Sequence, residues 1–184
     1  MKKMSNGKAV GEDGIALEHL SQGGENLTHL LLLILNFVWH NELAPRQWKA
    51  TTIVPIFKAG DRKSKKNYRP ISLITVVAKI FTSIINARIS NHLENNHLLA
   101  EEQAGFRPKR SCVSQSFILS NILAWRKRRF MPTALAFLDI SQAYDTVCRE
   151  KTWLLLHESG ITGKLWSDER AVPRRRHQNC GGRR

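Results

Sequence analysis

Between residues 20 and 40 the apolar side chains Leu27, Leu30, Leu31, Leu33, Ile34, Phe37 and Val38 crowd the chain on every side. That pattern predicts a well-buried helix rather than a surface one. Residues 51–57 are rich in β-branched side chains, but Pro55 has no N–H to give a ladder, so an edge or bulged strand is expected. A polar, cationic stretch with Gly60 and Asn67 follows over 58–67 and reads as a loop at a strand end. Val77, Phe81, Ile84, Ile85, Ile89 and Leu93 then recur at mostly three- and four-residue intervals, predicting a long amphipathic helix over about 75–95. A second helix fits 113–129, with Val113, Phe117, Ile118 and Ile122 on one side and the cations Arg126 to Arg129 at its dipole-favoured end. Residues 133–140 are almost continuously apolar, as in a strand covered on both faces. From Arg170 onward, arginines and turn-formers without apolar periodicity predict a disordered tail.

Charge adds the next constraint. With 29 Lys and Arg against 15 Asp and Glu, the net charge is +14, and a chain this basic usually faces phosphate or anionic lipid. No apolar run approaches the roughly 20 residues that cross a bilayer, and no apolar stretch follows the first residues as a secretory signal would. Cys112, Cys148 and Cys180 are odd in number and widely spaced, which argues against a disulfide framework or a zinc site. An intracellular, reducing location is the expectation.

Two places could carry chemistry. Asp139 closes the apolar run, and burying a lone carboxylate costs several kcal/mol unless it is paired, protonated or bound to a cation. It reads either as a metal ligand or as a strand-ending turn residue, with Tyr144 five positions on and Asp145 six. Lys58, Lys63, Lys65, Lys66 and Arg69 lie within twelve residues with only Asp61 opposing, which suits a triphosphate or a nucleic-acid backbone, or else a solvated surface loop.

Taken in order, Pro55-Ile56-Phe57-Lys58-Ala59-Gly60-Asp61, Asn67-Tyr68-Arg69-Pro70-Ile71-Ser72-Leu73, Lys79-Ile80, Gln103-Ala104-Gly105-Phe106-Arg107-Pro108 and Phe137-Leu138-Asp139-Ile140-Ser141-Gln142-Ala143-Tyr144-Asp145 closely resemble the motifs of non-LTR (LINE-type) retrotransposon reverse transcriptases. Gly11-Glu12-Asp13-Gly14-Ile15 is similar to the G-P-D-G-I element that opens the fingers in that family, with Glu12 in place of the usual Pro. The resemblance spans about residues 8–163, leaving a short extension before it and the basic tail from 164 after it. It implies an α+β fold of the right-hand polymerase kind, with mostly helical fingers to about residue 130 and an incomplete palm from about 133.

The resemblance also implies roles. Asp139 would bind Mg²⁺, completed by the backbone carbonyl of Ile140, and Tyr144 would be the aromatic gate beneath the incoming sugar. Lys58 and Arg69 would hold the dNTP triphosphate. Arg107 lies in a turn near the template path, and with Lys63, Lys65, Lys66, Lys109 and Arg110 it would contact an RNA template and DNA primer. Asp145 would be structural. Two-metal phosphoryl transfer needs a second carboxylate, which the family draws from a Y-x-D-D hairpin. No Asp-Asp pair occurs in this sequence, and Asp168 lies outside any strand pattern. The chain is therefore expected to be a truncated remnant, inactive alone. An active polymerase completed by another chain, a catalytically dead nucleic-acid binder and a product without function are the competing readings.

Overall fold

The computed structural model describes residues 6–140 and 143–165. Two compact units emerge, the boundary falling inside the long central helix: the first holds residues 6–88 and 160–165, the second 89–140 and 143–159.

The first unit has the core. Helices α1 (Leu17–Gln22) and α2 (Gly24–Asn41) and the start of α4 (Val76–Asn95) bury Leu17, Leu20, Leu31, Leu35, Val76 and Ile80 against one another. Trp48 of the short α3 (Arg46–Lys49) joins them and meets Phe81 at 5.3 Å between ring centres. Thr75 caps α4: it is buried, and its Oγ1 accepts the Ala78 N–H at 3.3 Å. The Gly11 to Gly14 turn lies directly on this cap, closed by the Gly14 N–H to Gly11 carbonyl bond of 3.1 Å. Both long helices form where the hydrophobic spacing places them. The expectation of a well-buried α2 is corrected, because Leu31, Leu35 and Val38 are buried while Leu30, Leu33 and Phe37 stay more than half exposed. The helix is apolar all round, yet α1 and α4 meet only one stripe of it.

Strands β1 (Thr52–Phe57) and β2 (Tyr68–Leu73) pair antiparallel as a two-stranded ribbon, with no third strand among the described residues. Pro55 stands opposite Pro70. The Lys58 N–H donates to the Asn67 carbonyl at 2.8 Å, and because antiparallel pairs alternate between bonded and non-bonded, that bond makes Pro55–Pro70 a non-bonded pair. Neither proline removes a ladder bond. Each instead takes a donor from an outer edge of the ribbon, which blocks strand addition on both sides. Pro55 thus fits an edge strand in regular register, with no bulge.

In the second unit α5 (Cys112–Arg128), α6 (Ala143–Thr146) and α7 (Arg149–Glu158) follow the end of α4. Ser111 caps α5 by accepting the Ser114 N–H at 3.2 Å, and the His92 ring bonds the Ser159 carbonyl at 2.8 Å, tying α4 to the end of α7. None of the described residues of this unit is fully buried. The strand expected over 133–140 is corrected: the segment has no regular structure, and Phe137 and Leu138 are 83% and 96% exposed. A strand persists only where a neighbour takes its N–H and carbonyl groups, and no described residue pairs with this one. The arginine-rich tail and Asp168 lie outside the described residues.

Candidate functional site

Register decides what the cationic segment can do. Side chains alternate along each strand, so Lys58 and Asn67, Ile56 and Arg69, and Val54 and Ile71 share one face of the ribbon. Lys58 and Arg69 are diagonal neighbours on that face, a relation that brings long side chains within reach of one ligand. Both are exposed. Phe57 and Tyr68 occupy the opposite face, their rings edge to face at 5.5 Å.

The loop between the strands is built rather than loose. The Asp61 carboxylate accepts the Lys63 N–H at 2.9 Å, and its carbonyl accepts the Asn67 amide at 2.8 Å and the Ser64 N–H at 3.2 Å. Gly60 is required by its φ of 89° and by Asn67, whose amide nitrogen stands 2.8 Å from where a Cβ would sit. Arg62, which the charge pattern does not single out, is held over the Phe57 ring at 5.3 Å, and its carbonyl accepts the Tyr68 hydroxyl at 2.9 Å. The aromatic pair flanking the loop was the available signal, but which cation stacks on it depends on the turn. With Arg62 so placed, Lys63, Lys65 and Lys66 remain exposed on the loop. Among the described residues none of these three lysines, nor Lys58 or Arg69, has an ion pair.

Arg107 and Arg110 behave otherwise, because each has a carboxylate partner within the second unit. The Arg107 side chain is 7% exposed; its Nε and Nη2 donate to both oxygens of Glu94, at 2.9 and 2.7 Å, and its Nη1 to the carbonyl of Ala100 at 2.6 Å. Arg110 pairs with Glu101 and donates to its carbonyl at 3.1 Å. The Arg107 guanidinium ties the turn over residues 100–110 to the end of α4, and that of Arg110 closes on Glu101 within the turn, so few of the Arg107 donors are left for phosphate. Lys109, at φ 60°, stays exposed.

The Arg107 hydrogen bonds hold the Glu94 carboxyl below its ordinary value, as those of Arg110 do for Glu101. A carboxylate depressed in the folded chain stabilises it above the unfolded value, about 4.3, and that contribution is lost as pH falls through the folded value. The thermal midpoint is therefore expected to be level from neutrality to about pH 5 and to fall below it. In Arg107→Met the midpoint should be lower at neutral pH and the acid decline shallower, as differential scanning calorimetry would show. Parallel profiles for the two proteins would contradict this.

Asp139, Ile140 and Tyr144 fall in the second unit, Lys58 and Arg69 in the first. Asp139 is exposed, against the burial that the apolar run implied, and makes no hydrogen bond or ion pair among the described residues. Tyr144, in α6, is 83% exposed, and the side chain of Asp145 lies outside the described structure. Mg²⁺ takes six oxygens in near-octahedral array. Asp139 and the Ile140 carbonyl provide two, and no group of three His, Cys, Asp or Glu side chains that could hold a metal occurs among the described residues. They would therefore be at most two of the six oxygens around such an ion, the others coming from water or further groups. No helix among the described residues is long and apolar enough to cross a membrane.

Comparison with known proteins gives this arrangement a context. Residues 58–181 match the model of the family described as reverse transcriptase (RNA-dependent DNA polymerase). The chain is 32% identical over 147 residues to the probable RNA-directed DNA polymerase from transposon X-element of Drosophila melanogaster, which covers 79% of the chain and 16% of that relative. It is 32% identical over 120 residues to the corresponding protein from transposon BS of the same organism, covering 64% of the chain and 13% of the relative. The type-2 retrotransposable element R2DM polyprotein of Drosophila melanogaster matches 94% of the chain at 24% identity, over 18% of its own length. The chain thus spans less than a fifth of these relatives. The family match over 58–181, together with two transposon relatives at 32% identity, shows that the chain belongs to the reverse transcriptase family, in its non-LTR retrotransposon branch.

Proposed function

We propose that the ribbon and its loop serve RNA-directed DNA synthesis, holding the triphosphate of a dNTP on the face that carries Lys58 and Arg69. The observation that carries this is the register, which makes those two cations neighbours while the aromatic pair takes the other face. Lys63, Lys65 and Lys66 then meet the backbone of an RNA template or a DNA primer. Within the second unit, and taken separately from that face, Tyr144 would bound a sugar and Asp139 with the Ile140 carbonyl would contribute to a metal shell that needs further ligands. Reverse transcriptases are generally Mg²⁺-dependent, the ion offsetting charge on the transferring phosphate. A purely nucleic-acid-binding role is the second reading, favoured by the net charge of +14 and the exposed cations of the loop.

Titration of the chain with dTTP, followed by calorimetry, tests the proposal. Removing a charge-assisted hydrogen bond costs about 1.5–3 kcal/mol, so Lys58→Ala and Arg69→Ala should each weaken binding about 10-fold or more, with Lys109→Ala unchanged. Unchanged affinity in Arg69→Ala would refute it. In primer extension on an RNA template the chain alone is expected to be inactive. Extension that disappears in Asp139→Ala would instead show a working centre and exclude the second reading.

A further inference from the structure

Helices α4, α5 and α7 each end in a left-handed residue: His97 at φ 53°, Phe130 at φ 53° and Gly160 at φ 83°. The closing bonds of α4 and α5 are of one kind. Leu98 N–H donates to the Leu93 carbonyl at 3.0 Å and His97 N–H to that of Glu94 at 3.2 Å; Met131 N–H donates to Arg126 and Phe130 N–H to Lys127, both at 3.1 Å. Glycine is the usual residue at this position and histidine is tolerated, but a bulky aromatic there is strained. Packing does not repay the strain at Phe130, which is 95% exposed.

The surroundings suggest what does. Arg126 is tied down, donating to the Pro132 carbonyl and the Thr133 hydroxyl at 2.7 Å each. Lys127, Arg128 and Arg129 are exposed, and the Arg129 guanidinium lies 3.8 Å over the ring of Trp125, itself 49% exposed. No acidic residue occurs between Glu102 and Asp139. An apolar protein contact here would have to desolvate this cluster without a counter-charge, whereas a phosphate backbone supplies one. Exposed rings beside backbone-binding cations are the means by which unpaired bases are held.

We propose that Phe130 and Trp125, with Lys127, Arg128 and Arg129, form a second nucleic-acid contact that stacks bases of single-stranded RNA, distinct from the Lys58–Arg69 segment. The inference rests on the chain being a nucleic-acid binder. Its signature is two effects of opposite sign in one variant. Phe130→Gly relieves the strained position and should raise the thermal midpoint by about 2–4 °C, while lowering affinity for an oligouridine about 5- to 100-fold through loss of stacking. The Lys63, Lys65 and Lys66 to Ala triple variant runs beside it. A raised midpoint with unchanged affinity overturns the proposal, and so does a midpoint that falls together with affinity, which marks the ring as packing. Loss of binding in the triple variant alone leaves the loop's role standing and removes this one; loss in Phe130→Gly alone does the reverse. Wild-type self-association abolished by Phe130→Gly in sedimentation would assign the ring to a protein contact and also overturn it.

Discussion

Affinity of the chain for single-stranded RNA is expected to fall about 10²-fold between about 50 and 200 mM salt through the loop cations alone. Lys58, Lys63, Lys65, Lys66 and Arg69 are exposed and without ion pairs among the described residues, so with no dNTP present each can release a counterion from an RNA phosphate. Five contacts at about 0.7 per phosphate give a logarithmic slope of about −3.5. Counting Arg107 and Arg110, as their sequence neighbourhood invites, would predict a steeper dependence; their ion pairs with Glu94 and Glu101 lower the estimate. Replacing Lys63, Lys65 and Lys66 by alanine should reduce the slope by about 2, whereas Arg107→Met should leave it unchanged. Fluorescence anisotropy across a salt series measures both. Any slope that survives removal of all five loop charges reports contacts elsewhere, the end of α5 among them. A flat salt response of the wild type would rule out phosphate contacts by the loop.

Gly11→Ala is expected to destabilise the first unit by about 1–3 kcal/mol, the range for forcing extra atoms into a packed site. A Cβ at Gly11 would stand 2.8 Å from both the N and the Cα of Thr75. Those are backbone atoms at the cap of α4, so relief requires moving the helix start that carries Val76 and Ile80 into the core. Gly14 is a useful contrast, because nothing lies near its Cβ position but its φ is 66°. Gly14→Ala should cost about 1–2 kcal/mol from conformation alone, and Gly14→Asn less, since asparagine tolerates the left-handed region. Urea unfolding of the three variants separates the causes. Equal loss in Gly14→Ala and Gly14→Asn would show that φ is not the reason, and a neutral Gly11→Ala would show that the turn does not press on the α4 cap.

Local patterns already determined much of this. Three- and four-residue spacing marked α4 and α5, Pro55 marked an edge strand, and the ordered motifs from Pro55 to Asp145 carried the family. What those patterns could not decide were matters of partnership between distant residues. An apolar run such as 133–140 states that burial would be favourable, but not that a neighbouring strand is there to pair with it, so the expected strand is absent. Likewise α2 is apolar all round, and only its contacts with α1 and α4 select which stripe is buried. Charge is the same case: Lys63 and Arg107 carry the same charge, yet one is exposed on the loop and the other is closed onto Glu94, thirteen residues away. Periodicity and composition act within a few residues, whereas pairing, burial and the cancellation of charge depend on which segments the fold brings together.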